Sequence, residues 1–261
     1  LFYGGESTGD FVPKLATEWE FNPTDSTYRF KIREGVKFHE GGDLTPEDVE
    51  YSFERWMVQD RPGGPAWLIY GPLLGVGGSG DVTFADIDGA VEVDGDSVVF
   101  TLGGGNFWAS IFPQILCYSG AAIVDKEWCI AQGGWDGTEA TWMDYNQPQD
   151  EGDTELFDKA NGTGPWKLNL WEKGSQIKLE RFDDYWGEPV AFDWVITQLV
   201  TEWTTRKLSF LNGDADYVDV PRAYIEELED VADIVLHKDL PNLGLDAFFF
   251  NMCICGPESE H

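Results

Sequence analysis

The sequence has few cations and few of the side chains on which enzyme sites depend. Its 261 residues include 17 Lys and Arg against 48 Asp and Glu, and only three His. The net charge of −31 repels phosphate groups, which argues against binding to nucleic acid or to an anionic membrane. Acidic residues scattered along a chain are typical of a solvated surface, and they would also suit a saline medium or a cationic ligand.

Motifs of catalysis are also missing. The chain contains no His-Glu-x-x-His and no phosphate-binding loop. The run Gly103-Gly104-Gly105 lacks the spacing of a dinucleotide fingerprint. Carboxylate pairs such as Asp183-Asp184 carry no information in so acidic a chain. We therefore expect no catalytic residue, no cofactor and no bound metal.

Cysteines and long apolar runs are scarce. The four cysteines, Cys117, Cys129, Cys253 and Cys255, are too few for a disulfide scaffold. The sequence allows buried free thiols, a bridge between Cys117 and Cys129, or a bridge from either to the 253/255 pair. The Cys-x-Cys pair near His261 has the wrong spacing for a zinc knuckle. No apolar run approaches 18 residues, which predicts no transmembrane helix.

The clearest order lies in residues 15–56. Apolar and charged residues alternate over 28–33, the pattern of a strand with one buried face. The turn just before this strand predicts a hairpin with residues 19–21. A helix is expected to begin at Pro46, because Thr45 can cap it and proline fits the first helical position.

The side chains of that helix divide into two groups. An apolar stripe at i, i+4 and i+7 predicts one buried face, formed by Val49, Phe53 and Trp56. Glu50 and Glu54 are expected to stay in water.

Residues 162–221 form a second ordered stretch. Turn residues between alternating segments predict a hairpin, a further strand, a helix closed by Gly213, and a short strand after the helix. The expected ranges are 167–171, 176–182, 194–200, 204–211 and 214–221.

The intervening residues 57–161 are rich in Gly, Pro and Trp. Residues 61–65 and 71–80 are typical of irregular loops. Alternating apolar residues around Asp94-Gly95 predict a hairpin over 90–102. A helix is expected within 125–135.

Both ordered stretches resemble family 5 of the extracytoplasmic solute-binding proteins, which serve ABC importers of peptides, nickel and oligosaccharides. Each motif is weak by itself, but their order and spacing agree over about 200 residues. The matching segments are 15–19 (LATEW), 30–39 (FKIREGVKFH), 44–49 (LTPEDV), 162–166 (GTGPW), 184–187 (DYWG), 205–206 (TR) and 213–216 (GDAD).

The resemblance implies an α/β fold, namely a mixed-sheet lobe of a type II periplasmic-binding-protein fold that carries an inserted smaller α+β domain. We expect residues 1–45 and 161–252 to join in one sheet as a discontinuous first lobe. Residues 46–160 would form the insertion, and 253–261 a tail leading toward a second lobe that is absent here. Family members are about twice as long, as the resemblance implies.

The resemblance also implies capture of a solute between two lobes and its delivery to the membrane subunits of an ABC permease. Oligosaccharide and short peptide rank nearly equal, and nickel ranks third because residues 116–119 contain no Arg. A periplasmic or extracellular monomer is expected, with any membrane anchor outside residues 1–261. The alternative is an acidic interaction or adhesion module without a transport role, which would lack an exposed apolar face.

The same resemblance maps five residues to the ligand cleft. Tyr3, Trp108 and Tyr118 would provide aromatic walls, and Ser119 and Asn251 would provide hydrogen bonds. For any single aromatic residue, a place in the core competes with this role.

Overall fold

A computed structural model describes residues 2–3, as backbone, and residues 11–238. The chain divides into two bodies, residues 1–199 and 200–261. The strands are β1 (Phe2–Tyr3), β2 (Phe11–Val12), β3 (Ala16–Asn22), β4 (Thr27–Ile32), β5 (Val91–Asp94), β6 (Ser97–Thr101), β7 (Trp166–Glu172), β8 (Gln176–Arg181) and β9 (Trp194–Gln198). The α-helices are α1 (Pro46–Gln59), α2 (Trp67–Leu74), α3 (Phe84–Asp88), α4 (Phe112–Ile115), α5 (Lys126–Ala131) and α6 (Trp203–Leu211).

A four-stranded antiparallel sheet in the order β3-β4-β6-β5 carries the main core. Tyr28 lies opposite Phe100, and Phe30 lies opposite Val98, so that these four apolar side chains share the covered face. On the opposite face Glu20 pairs across the strands with Arg29, as cross-strand neighbours of opposite charge favour. The alternation in the sequence therefore determines which face is buried.

Helix α1 begins at Pro46, as the sequence predicts. The Asp48 carboxylate accepts hydrogen bonds from the Thr45 N–H at 2.8 Å and from the Thr45 hydroxyl at 2.9 Å. Val49 and Phe53 are buried as expected. Glu54 differs from the expectation, because it is only 7% exposed, and Glu50 is half-buried and accepts a hydrogen bond from the Val93 N–H.

The second sheet, in the order β7-β8-β9, is antiparallel and separate from the first. We expected the strands before and after the insertion to share one sheet, and for the described strands this is wrong. Strand β4 pairs instead with β6, which lies within the predicted insertion, because both strands present an apolar face at matching register. The assignment of residues 1–45 and 161–252 to one lobe, 46–160 to an insertion and 253–261 to a tail stays a prediction.

Several local predictions also need correction. Residues 71–74, expected to be a loop, belong to α2, and the helix expected within 125–135 covers only Lys126–Ala131. No strand forms over 214–221 in the described structure. All three predicted hairpins are confirmed, and so is the helix predicted over 204–211.

The body that begins at residue 200 is described as far as residue 238. Trp203 stacks on Tyr224 with ring centroids 5.3 Å apart, and its indole N–H donates to Glu227 at 3.2 Å. Lys207 pairs with the same carboxylate at 2.8 Å. Among the described residues, no helix is long and apolar enough to cross a membrane.

Candidate functional site

Two of the five predicted site residues, Tyr118 and Ser119, line one pocket. The pocket has a volume of about 240 Å³ and belongs to the first body. Most of its walls are apolar, and the lining residues are Lys14, Leu15, Ala16, Phe30, Ile32, Val49, Phe53, Phe100, Leu116, Cys117, Tyr118, Ser119, Ala121, Ala122 and Ile123.

The buried part of the pocket is formed by aromatic side chains of the first sheet and of α1. Phe30 and Phe53 each meet the ring of Phe100 edge to face, with centroids 5.7 and 4.9 Å apart. Phe112, the first residue of helix α4, also packs against Phe100, with ring centroids 5.3 Å apart. These contacts hold the rings in fixed orientations, so the pocket has a preformed floor.

The segment 118–120 forms an exposed side of the pocket. Tyr118 is 44% exposed and stacks on Trp56, with ring centroids 6.4 Å apart. A Cβ atom at Gly120 would lie 2.6 Å from Cζ2 of Trp56, so only glycine permits this approach of ring and backbone. Within the described residues, no hydrogen bond engages the hydroxyl of Tyr118 or of Ser119, and both are available to a ligand.

Trp108 does not line this pocket. Its indole ring lies against Gly71 of helix α2 and against Gly104. A Cβ atom added at Gly71 would lie 3.2 Å from Cζ2 of the ring, and one added at Gly104 would lie 2.7 Å from Cδ1. Phe107 meets the Trp108 ring edge to face at 5.5 Å and is strongly exposed. A packing role therefore accounts for Trp108, and its proposed role in a ligand wall stays a prediction.

The other two predicted residues are not brought to the pocket by anything described. The backbone of Tyr3 pairs with Phe11 in the two-stranded sheet β1-β2. Asn251 lies outside the described residues. Their roles in ligand binding stay predictions.

The structure shows the state of two of the four cysteines, whose pairing the sequence left open. Cys117 and Cys129 are free thiols, so a bridge between them is wrong. The Cys117 thiol lines the pocket, and burial raises its pKa. Cys129 is fully buried and accepts a hydrogen bond from the Tyr51 hydroxyl at 3.3 Å. Cys253 and Cys255 lie outside the described residues.

Several pocket residues were not predicted from the sequence, notably Leu116 before the segment 117–120 and residues 121–123 after it. One signal was available, because residues 97–124 contain no charged side chain in a chain of which 25% is charged. An uncharged stretch of this length in an acidic protein indicates a segment that contributes to a core or to an apolar site. No group of three or more His, Cys, Asp or Glu within residues 11–238 could hold a metal ion.

A polar junction joins two of the motifs that carry the resemblance. His39 donates from Nε2 to the Gly164 carbonyl at 2.9 Å, and its Nδ1 accepts from the Gly162 N–H at 3.4 Å. Phe182 packs edge to face on the imidazole at 4.9 Å, and burial lowers the pKa of His39. Lys167 pairs with Glu40 at 3.0 Å. The histidine therefore has a structural role in its neutral form.

The motif around Trp186 is structural as well. Its indole N–H donates to the Thr163 carbonyl at 3.2 Å, and the guanidinium of Arg33 lies 4.5 Å from the ring centroid. Trp186 thus links Arg33, which directly follows β4, to the turn that leads into β7. At these positions the motifs that carry the resemblance have a packing role.

Comparison with known proteins gives a consistent result. Residues 10–254 match the model of the family described as bacterial extracellular solute-binding proteins, family 5 Middle. The di/tripeptide-binding protein 3 of Pseudomonas aeruginosa is 26% identical over 249 residues, which cover 92% of this chain and 42% of that protein. The dipeptide-binding protein of Escherichia coli is 25% identical over 260 residues, which cover 94% of this chain and 43% of that protein.

Solved structures show the same partial coverage. The periplasmic binding protein DppA from Helicobacter pylori, in complex with the peptide STSA, superposes with a TM-score of 0.64 at 25% identity. The match covers 89% of this chain and 42% of DppA. AppA from Bacillus subtilis, in complex with a nonapeptide, gives a TM-score of 0.60 at 24% identity, which establishes a similar fold and nothing further. The chain thus spans about two fifths of the length of the curated relatives it matches.

Proposed function

Because the chain belongs to the bacterial extracellular solute-binding proteins of family 5, we propose that it serves an ABC importer by capturing a short peptide outside the cytoplasm. The observation that carries this proposal is the family match over residues 10–254. The permease subunits of the importer would be its partners, and it would work as a monomer in the periplasm or outside the cell.

Two findings support a peptide rather than an oligosaccharide. Three relatives that match more than nine tenths of this chain are named as dipeptide- or tripeptide-binding proteins. The pocket beside Tyr118 is mainly apolar, whereas a sugar needs many polar partners for its hydroxyl groups.

In the proposed mechanism, two lobes close around the solute, and the free energy of binding stabilises the closed state. The residues described here supply one wall of the site. Tyr118 and Ser119 would offer hydroxyl groups to the peptide, and the aromatic floor would bury an apolar part of it. A chain that corresponds to 42% of its relatives should bind more weakly than a protein with both walls, because fewer contacts oppose the loss of ligand freedom.

The alternative is an acidic interaction module without transport. That alternative predicts no exposed apolar face, but one face of the sheet β7-β8-β9 carries exposed Leu170, Trp194 and Ile196. This observation favours a chain that is part of a larger binding protein over a self-contained acidic module.

Thermal-shift and calorimetric titration of residues 1–261 tests the proposal. We expect di- and tripeptides to raise the melting temperature at millimolar concentration, and maltotriose to have no effect. Ser119→Ala should weaken the peptide effect, while Ser110→Ala, an exposed serine outside the pocket, should preserve it. A response to maltotriose alone, or to neither ligand, would contradict peptide capture. Sub-micromolar peptide affinity would contradict the need for a second wall.

A further inference from the structure

The pocket beside Tyr118 is free of carboxylates in a chain that is rich in them. Asp and Glu account for 48 of 261 residues, yet none of the described residues that line the pocket is acidic. Lys14 is the single charged residue among them. Such a lining offers no carboxylate to a metal ion or a cationic group, and apolar walls disfavour any unpaired charge. The chemistry that fits is neutral and apolar.

The volume limits the size of the group that can enter. The pocket encloses about 240 Å³, and an engineered apolar cavity of about 150 Å³ in another protein stays dry and binds benzene. A single aromatic ring or a branched aliphatic side chain therefore fits, whereas a whole peptide does not. The peptide backbone would have to stay outside, near the exposed residues 118–119.

We infer that this pocket receives one neutral apolar side chain of the captured peptide, aromatic or branched aliphatic, with Phe30, Phe53 and Phe100 as its floor. The hydroxyls of Tyr118 and Ser119 then face the peptide backbone, where they can donate and accept hydrogen bonds. This assignment rests on the proposed function and names the feature by which the protein selects among peptides. A preference for peptides that contain Leu or Phe over Gly-Gly follows from it.

Cys117 provides a direct reporter of pocket occupancy, because its thiol is half-buried and lines the pocket. The experiment uses the chain with Cys253→Ser and Cys255→Ser, in which buried Cys129 serves as an internal control. The rate at which a small maleimide modifies Cys117 is measured at pH 8 with and without indole. At ten times its Kd, indole should slow the reaction about tenfold. Benzamidine, of similar size but positively charged, should not slow it.

A matched pair of variants separates the pocket from the rest of the surface. Ala122→Phe places a ring at an exposed lining position, and Ala140→Phe places one at an exposed position away from the pocket. Ala122→Phe should lose both the protection by indole and the preference for Phe-containing dipeptides. Ala140→Phe should keep both. Circular dichroism checks that each variant folds, and the protection of the parent chain by indole tests the proposal even where a variant does not.

The outcomes distinguish this inference from the proposed function. If indole fails to protect Cys117 while dipeptides bind, the pocket assignment is overturned and peptide capture stands. If indole protects Cys117 while no peptide binds, peptide capture is overturned and the pocket keeps only its apolar specificity. Equal protection by indole and benzamidine would overturn the assignment to a neutral group.

Discussion

The two sheets of the first body have similar sequence patterns but very different surroundings. Both are built from hairpins with alternating apolar residues. In β4 and β6 those residues are buried beneath helix α1, and Phe100 is 2% exposed. No residue of β7, β8 or β9 is fully buried, and Trp194 and Ile196 are 45% and 52% exposed.

The comparison shows that alternating apolar residues predict a strand, but they do not predict whether another layer covers its apolar face. A sheet gains stability by packing its apolar face on another layer, and the first sheet does so within this chain. The second sheet gains its described order from backbone pairing and from surface contacts such as Lys178, whose ammonium lies 3.8 Å from the centroid of the Trp194 ring. Substitutions should therefore affect the two sheets unequally.

The largest effect is expected at the centre of the first sheet. Phe100→Ala removes a ring that contacts Phe30, Phe53 and Phe112, and should lower the free energy of unfolding by about 3–5 kcal/mol. Urea denaturation followed by circular dichroism measures the change. A loss below about 1 kcal/mol would mean that the first sheet is no better packed than the second.

A buried carboxyl group gives a second way to compare the two sheets. Glu54 lies on helix α1, which covers the first sheet, and it is buried. Burial, with the nearby carboxylates of Glu50 and Asp88, raises the pKa of Glu54 to about 8 from a usual 4.5. The folded state then binds a proton that the unfolded state releases, so stability contributed by this group is lost as pH rises from about 4.5 to 8.

Glu54→Gln should remove that dependence. We expect the variant to gain roughly 3–4 kcal/mol relative to the parent between pH 5 and pH 8. Glu139→Gln, at an exposed position, removes one negative charge as a control and should leave the slope unchanged. Parallel stability curves for the parent and Glu54→Gln would show that Glu54 ionises freely in the folded protein.

The junction between the sheets should show an intermediate effect. His39→Ala removes the hydrogen bonds to Gly162 and Gly164 and should cost about 1–2 kcal/mol. Hydrogen exchange should report faster opening in β7 and β8 before the first sheet is affected. Uniform loss of protection across both sheets would instead indicate a single cooperative unit.

The same histidine gives a pH dependence of opposite sign to that of Glu54. Burial holds the pKa of His39 below its usual 6.5, so the folded state resists protonation. Stability from this group is present above pH 6.5 and is lost as the pH falls below that value. Acid-induced opening that His39→Ala fails to alter would contradict this role.

The smallest effect is expected on the open sheet. Ile196→Thr changes a side chain that is already 52% exposed and keeps a β-branched residue, so stability should change by about 0.5 kcal/mol or less. Val98→Thr is the matched change in the first sheet, where the position is fully buried, and should cost distinctly more. Equal costs from thermal unfolding would remove the distinction between the two sheets.

Much of the local structure could be predicted from the sequence. The hairpin turns, the helix start at Pro46 and the alternation in β4 depend on residues close in the chain, and all are confirmed. The pairing of β4 with β6 depends on register between distant segments, and the burial of Glu54 depends on what packs over α1. Neither can be deduced from local pattern.

The pocket was predictable to a smaller extent, and a ligand-binding role for its residues stays a prediction. Tyr118 and Ser119 were assigned from a resemblance, and they do lie together on one pocket. The pocket itself is formed by Leu15, Ile32 and Phe53 as well, which look like ordinary core residues in the sequence. Only tertiary packing distinguishes a filled core from one that keeps an open space.

Asn161 has a consequence for the chemical lifetime of the protein. It is 2% exposed, it accepts from the Glu40 N–H at 2.9 Å, and its amide donates to Asp125 at 3.3 Å. The residue after it is Gly162, and an Asn-Gly pair loses its amide readily when the backbone is free to move. Burial delays this ageing reaction, but each transient opening exposes the pair, and conversion to aspartate would set two carboxylates against each other where a hydrogen bond had been.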